Sequence, residues 1–325
     1  MLTDRANAIC LLEILREFSD EEHILPMRKI ISKMEHIYGI KPDRRTIYSA
    51  VALLTELGHD ISTYEENGIG YYLRCREFEK SEIHLLSDAV YSFPFISPKQ
   101  TYDLIKKLQK QLSVHQRKGF KHLTIAKSEK KTDNRQVFLN VECLDEAIDA
   151  GKQISFTYLQ YDLDKKQHPR REKPYVVNPY ELIYTNEHYY LICNYIGHDK
   201  TSFYRIDRIC DIKILDTPID KEADDLEDFR NATYAFASVP ERIVLHCEKW
   251  MIDEVIDKFG TDISISKLDE DKISVSFTAP STGIKFFALQ YLPYMEVIKP
   301  EWIREEIINN IKENKYEKLL EKMDS

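Results

Sequence analysis

Arg45, Tyr48, Ser49 and Ala52 recur at the i, i+3, i+4, i+7 spacing that puts four side chains on one face of a helix. Arg44 and Thr46 fall beside them in the first turn, and Lys41 just precedes them. No acid interrupts the strip between Arg44 and Glu56. The chemistry suits a DNA groove. An arginine fork can read a guanine edge bidentately, and Ser or Tyr hydroxyls can hold phosphates or bases. Small Ala52 permits close approach, and a helix N-terminus favours phosphate. The competing reading is the solvated face of an ordinary helical domain.

The elements around the strip weigh between the two. Residues 8–18 read as a helix with Ile9, Leu12 and Ile14/Leu15 on one side. Pro26 opens a second helix, with Met27, Ile30, Ile31, Met34, Ile37 and Tyr38 at helical spacing and Gly39 at its end. Asp43 is a fitting N-cap for a third, which buries Ile47, Ala50, Val51, Leu54 and Leu57 and stops at Gly58. Strand-like runs at 61–64 and 71–75 flank Asn67-Gly68, a hairpin-turn signal. Three short helices followed by a hairpin is a winged helix-turn-helix, expected over residues 1–78, and it favours the groove reading. Glu65 and Glu66 at the wing tip would repel phosphate, which leaves Asn67 or the backbone to make the wing's contact.

Residues 79–138 are expected to be a helical linker with a basic loop. Ser81 and Ser97-Pro98 open two helices, the second burying Tyr102, Ile105, Leu108 and Leu112. Residues 99–136 carry eleven Lys or Arg against three acids, so the loop at 113–136 either touches the DNA backbone or is simply solvated. A helix at 145–150 ends at Gly151, and the period then changes to two, with Ile154, Phe156 and Tyr158 alternating with Ser155 and Thr157. Further strands at 182–184, 188–195, 202–205 and 210–215 suggest a small barrel over 139–216. An acidic linker at 217–240 precedes a β-α-β-β-α-β series, a ferredoxin-like sandwich over 241–325 with Trp250 and Trp302 in its core. The fold class is α+β multidomain.

Composition sets the bounds. No apolar run approaches the roughly 18 residues that cross a bilayer, and residues 1–5 lack a signal-peptide layout, so a cytoplasmic protein is expected. Six cysteines without a C-x-x-C pair argue against disulfides. A net charge of -9 opposes DNA binding at face value, but the charge is segregated, with acid gathered at 216–228. There is no Gly-rich phosphate loop, nucleophile elbow or H-E-x-x-H, so no enzyme activity and no cofactor are expected. The ten histidines are scattered, and Asp224, Asp225, Glu227 and Asp228 read as a solvated charge run rather than a metal site.

The pieces resemble the WYL-domain regulators, which join a winged helix to a WYL domain. Asp43-Arg44-Arg45-Thr46-Ile47-Tyr48, Gly70-Tyr71-Tyr72-Leu73 and Arg76-Glu77-Phe78-Glu79 carry the resemblance in the first part. Ile154-Ser155-Phe156-Thr157-Tyr158 looks like the domain's opening strand, and Asn178-Pro179-Tyr180-Glu181-Leu182 like its next turn and strand. Tyr189-Tyr190-Leu191 stands where the name-giving Trp-Tyr-Leu would be, and Tyr204-Arg205-Ile206-Asp207-Arg208-Ile209 resembles the closing motif. The resemblance implies an SH3-like small β-barrel, a C-terminal extension domain, a homodimer, and a basic, aromatic site for nucleotides or single-stranded nucleic acid. Arg205 and Arg208 would clamp phosphate, while Tyr158, Tyr189 and His188 would stack or donate. Alternatively, Asp207 pairs with an arginine and the tyrosines are core. The family's third basic position is Tyr175 here, which leaves Lys173, Arg171 or Arg170 to supply that charge.

Together these readings describe a regulator that binds a double-stranded DNA operator and senses a phosphate-containing ligand, with no membrane partner. The alternative is a non-enzymatic nucleic-acid sensor that modulates another protein, its winged helix serving as a docking surface.

Overall fold

A computed structural model describes residues 4–118, 131–185, 187–198, 200–220 and 240–313. The basic loop's residues 119–130 and most of the acidic linker, 221–239, lie outside the described residues. The chain divides into two compact units, Met1–Asp133 and Asn134–Ser325. Mixed α and β structure runs through both, with helices first and a curled sheet after them.

In the first unit, helices α1 (Asp4–Phe18), α2 (Met27–Tyr38) and α3 (Arg44–Glu56) share one apolar core. Leu11, Ile14, Leu15, Ile30, Met34 and Ile47 are its most enclosed side chains. The α1 face differs from the expected one. Leu11 lies at the centre while Ile9 is 67% exposed, because the true stripe runs Cys10, Leu11, Ile14, Leu15. Ile37 and Leu57, also expected inside, are exposed. Pro26 caps α2 instead of opening it, and Gly39 closes it in the left-handed region.

The expected Asn-Gly hairpin turn is replaced by a short helix. Strands β1 (Ile61–Ser62) and β2 (Tyr72–Leu73) pair antiparallel, but between them lies α4 (Tyr64–Asn67). Thr63-x-x-Glu66 is a capping box, and its two reciprocal bonds outcompete the turn. Beyond α4, Tyr71 exchanges both backbone bonds with Leu25 at 2.9 Å. Gly70 is required for that approach, since a Cβ there would meet the Leu25 carbonyl oxygen at 2.2 Å. Helices α5 (Lys80–Ser92) and α6 (Pro98–Gln109) follow. Glu79, not Ser81, caps α5, and Tyr102 of α6 faces solvent where burial was expected.

The second unit opens with α7 (Val137–Asp149). Strands β3 (Lys152–Tyr161), β4 (Gln167–Pro169), β5 (Tyr175–Thr185), β6 (His188–Tyr195) and β7 (Thr201–Arg205) form a sheet in the order β4-β3-β5-β6-β7. The 3-10 turn Ile206–Arg208 leads into β8 (Ile209–Pro218), which returns to pair with β3, so the sheet curls. Asn178 to Leu182 is continuous strand, with a bulge between Pro179 and Glu181, rather than a turn followed by a strand. The alternation of β3 buries Ile154, Phe156 and Tyr158 as expected.

A second, fully antiparallel sheet has the order β10-β11-β9-β12, built from β9 (Pro240–Glu248), β10 (Ser264–Lys267), β11 (Lys272–Pro280) and β12 (Met295–Lys299). Helices α8 (Ile252–Phe259), α9 (Ser281–Gln290) and α10 (Glu301–Lys312) intervene and follow, and a separate core gathers Leu245, Val275, Phe287 and Ile303. Trp250 and Trp302 are not core residues. They are 56% and 41% exposed, with Trp250 edge-on to Tyr294 and Trp302 donating its indole N–H to Glu241. Among the described residues no helix is long and apolar enough to cross a membrane.

Candidate functional site

Two constellations carry chemistry, one in each unit. The first is the outer face of α3. Asp43 anchors its start by accepting the Thr46 backbone N–H at 2.7 Å, and that bond holds the Asp43 carboxyl below its usual pKa. Burial of Ile47, Ala50, Val51 and Leu54 turns Arg44, Arg45, Tyr48, Ser49 and Ala52 outward, all exposed, with Thr46 half-buried. Lys41 is exposed and pairs with Glu35 at 3.1 Å. A cleft of about 340 Å³ beside the strip is lined by Asn7, Asp43, Arg45, Thr46, Ser49 and Leu53, among others. Burial raises the pKa of Tyr71, and the neighbouring Tyr48 phenol adds to that rise.

Asn67 does not join this face. Its amide donates to the Ser62 hydroxyl and the Gly70 carbonyl, and its oxygen accepts from the Ile69 and Gly70 backbones, all within 2.8–3.0 Å. With both donors and the acceptor committed, it shapes the loop after α4. The neighbouring Arg74 pairs with Glu66 and Asp60 and adds no free charge.

The second constellation is the turn Ile206–Arg208 between β7 and β8. Arg205 grips Asp207 with two bonds, Nε to Oδ1 at 3.0 Å and Nη2 to Oδ2 at 2.7 Å. The Asp207 side chain is only 4% exposed. Burial works against the Arg205 charge, but the Asp207 carboxylate outweighs it and raises the Arg205 pKa. Arg208 differs. Its guanidinium lies 5.8 Å from the Tyr161 ring centre, and its Nε is buried with no hydrogen-bond partner among the described residues. That nitrogen is an unmet hydrogen-bond donor in the turn. The turn itself is held from outside the sheet by the Asn134 and Asn140 side chains.

Strand periodicity sorts the aromatic candidates. Tyr190 lies directly opposite Arg205 in the β6–β7 register, and His188 shares its face, the two rings 6.3 Å apart. Tyr189 points the other way, against Tyr184 at 5.3 Å, and so does not line up with Arg205. Desolvation raises the Tyr190 pKa, with Arg205 and Arg208 both near enough to pull against it. Tyr158 is buried in an edge-to-face cluster with Tyr175 and Tyr204, its hydroxyl accepting the Arg205 backbone N–H at 3.4 Å. Its role here is packing.

Arg171 stacks on Tyr175 at 3.5 Å and donates to the Lys173 and Pro174 carbonyls and the Tyr195 hydroxyl. It braces the chain before β5, and the Lys173 side chain is exposed. The sequence reading missed Tyr190 and Tyr161. Counting in twos from Leu191 back to Tyr189, and from Tyr190 across to Arg205, would have found the first.

The curled sheet with an arginine-bearing turn at its closure defines a small β module inside a mixed α/β chain. Residues 140–214 match the family model of the WYL domain, so this module is a WYL domain. Comparison with curated proteins gives no significant match. Among solved structures, the chain is similar to proteasome accessory factor B/C (PafBC) of Arthrobacter aurescens, at 13% identity and a TM-score of 0.25. That match covers 94% of this chain and 47% of the other, so the chain spans about half the length of the PafBC chain. It is also similar to a CRISPR Cas-related protein, at 12% identity and a TM-score of 0.36, covering 73% of this chain and 72% of that one.

Proposed function

We propose that this WYL-domain protein is a DNA-binding transcription regulator that senses a phosphate-containing ligand such as a nucleotide or oligonucleotide. The observation that carries the reading is the exposed, acid-free strip of Arg44, Arg45, Tyr48 and Ser49 on a helix whose opposite face is fully buried. Three helices followed by a two-stranded ladder support a winged helix-turn-helix around that strip, with α4 in place of a hairpin tip. Pairing of β8 with β3 supports an SH3-like barrel for the sensor, and the β10-β11-β9-β12 order supports a ferredoxin-like extension. The acting species is a homodimer on a palindromic operator, in the cytoplasm, without enzymatic turnover. In the sensor, Arg208 supplies the free fork for phosphate while Tyr190 and His188 offer ring faces.

The test is anisotropy of a labelled duplex from upstream of the protein's own gene. The parent should bind with steep salt dependence. The pair Arg44→Ala and Arg45→Ala should lose about 1–3 kcal/mol per abolished base contact. Binding equal to the parent's would refute the recognition-helix assignment. It would favour instead a nucleic-acid sensor acting on another protein, a reading to which exposed Glu65 on α4 lends some support.

A further inference from the structure

We infer that Asn134 and Asn140 are positioning residues that tie the Arg205–Asp207–Arg208 turn to the point where the chain enters its second unit. The inference rests on the ligand-sensing reading above and names how that site would act. The turn links two strands and has no ladder of its own, so its carbonyls need partners from elsewhere. Two side-chain amides supply them. Asn134 Nδ2 donates to the Asp207 and Ile209 carbonyls at 3.0 and 3.1 Å. Asn140 Nδ2 donates to the Ile209 and Ile206 carbonyls at 2.8 and 3.4 Å. Both amides converge on Ile209, where β8 begins.

Asn134 also faces the other way. Its Oδ1 accepts the Gln136 backbone N–H at 2.8 Å, one residue before α7. One planar amide therefore fixes both the start of α7 and the arginine turn. Asn134 is the first residue of the second unit, and Asn140 lies a turn inside α7.

The two arginines of the turn are unequally satisfied. Asp207 fills the Arg205 fork, while the Arg208 Nε has no partner. A phosphate drawn to Arg208 competes with Asp207 for Arg205, only three residues away. Any release of the nearly buried Asp207 must move a three-residue turn, and the amides carry that movement into α7. The ligand shifts α7 only to the extent that it binds the two turn arrangements differently. Neutral amide bonds resist salt, so this coupling should persist where phosphate binding weakens.

The experiment uses the full chain and amide hydrogen exchange over residues 134–149 and 203–211. Asp207→Asn breaks the charge grip without any ligand. Asn134→Asp keeps the acceptor for Gln136 but removes both donations to the turn, at a half-buried position, and its thermal midpoint, measured alongside, must show a folded chain. Asp207→Asn should speed exchange in the first turns of α7 by about fivefold, and in the Asn134→Asp background it should add nothing. Effects that multiply independently, or a change confined to 203–211, overturn the clasp.

A second arm titrates a 5′-phosphorylated single-stranded DNA about ten nucleotides long. The parent should bind it and gain protection in α7, while Asn134→Asp should bind within about twofold yet lose that protection. A purely structural role would instead change affinity and protection together, which overturns the proposal. A probe that fails to bind the parent overturns the ligand reading and with it the sensor role of the clasp, whatever the exchange arm gives.

Discussion

At the scale of single residues, two arginines three positions apart have opposite circumstances. Arg205 is saturated by Asp207, and removing it would strand a carboxylate that is almost wholly buried. Breaking a buried pair from one side costs about 3–5 kcal/mol, somewhat less here because Arg205 keeps 23% of its side chain exposed. Arg208 has a buried nitrogen without a partner, so its loss removes no internal bond of that atom. Arg205→Ala should therefore lower the thermal midpoint markedly. Arg208→Ala should leave it near the parent's yet weaken binding of the phosphorylated oligonucleotide at least tenfold. Calorimetry and anisotropy on the same preparations separate the two, and equal destabilisation by both variants would show that Arg208 is structural as well.

At the scale of elements, the segment after α6 returns to the loop between α1 and α2. Ser113 donates to buried Asp20 at 2.5 Å, Arg117 forks onto Glu17, and the His115 ring stacks on His23 at 3.7 Å. Desolvation and the neighbouring His23 lower the His115 pKa, with Asp20 pulling the other way and Lys118 and Lys33 adding to the depression. A histidine whose folded pKa lies below its unfolded value near 6.5 contributes stability above that value and loses it as pH falls through the folded one. Between about pH 7.5 and pH 5, the parent's thermal midpoint should thus fall more steeply than that of His115→Phe, which keeps the stack without the proton. Parallel profiles would remove His115 from the account. This strap was not legible beforehand, because nothing local in 113–117 names a partner nearly a hundred residues earlier. The α3 strip was legible, because helix period and an N-cap are local and Asp43 caps as its type predicts. The expected Asn-Gly turn between β1 and β2 gave way where two local signals competed, and the capping box at Thr63-x-x-Glu66 won. Strand phase was not legible either: the register sets Tyr190, and not Tyr189, opposite Arg205, because one residue's shift exchanges the two faces.

At the scale of the whole molecule, the apolar interior is divided. One core joins α1, α2, α3 and the β1–β2 ladder, and another fills the space beneath the β9–β12 sheet, with no residue common to both. Separate cores do not oblige separate unfolding, but they remove the commonest reason for a single transition. The sequence provides a selective reporter. Its only two tryptophans, Trp250 and Trp302, both belong to the second unit, so tryptophan emission follows that unit alone while far-UV circular dichroism follows both. Leu15 is fully enclosed in the first core, and Leu15→Ala should cost about 2–5 kcal/mol there. Under urea, Leu15→Ala should move the dichroism transition to lower denaturant and broaden or split it, while the emission transition stays at the parent's midpoint. Leu245→Ala, in the other core, should move the emission transition. If Leu15→Ala drags the emission midpoint down with the dichroism, the two units unfold as one. The proposed operator binding and the proposed ligand sensing would then share a single cooperative structure, and a signal between them would pass through stability itself rather than through the chain at Asn134.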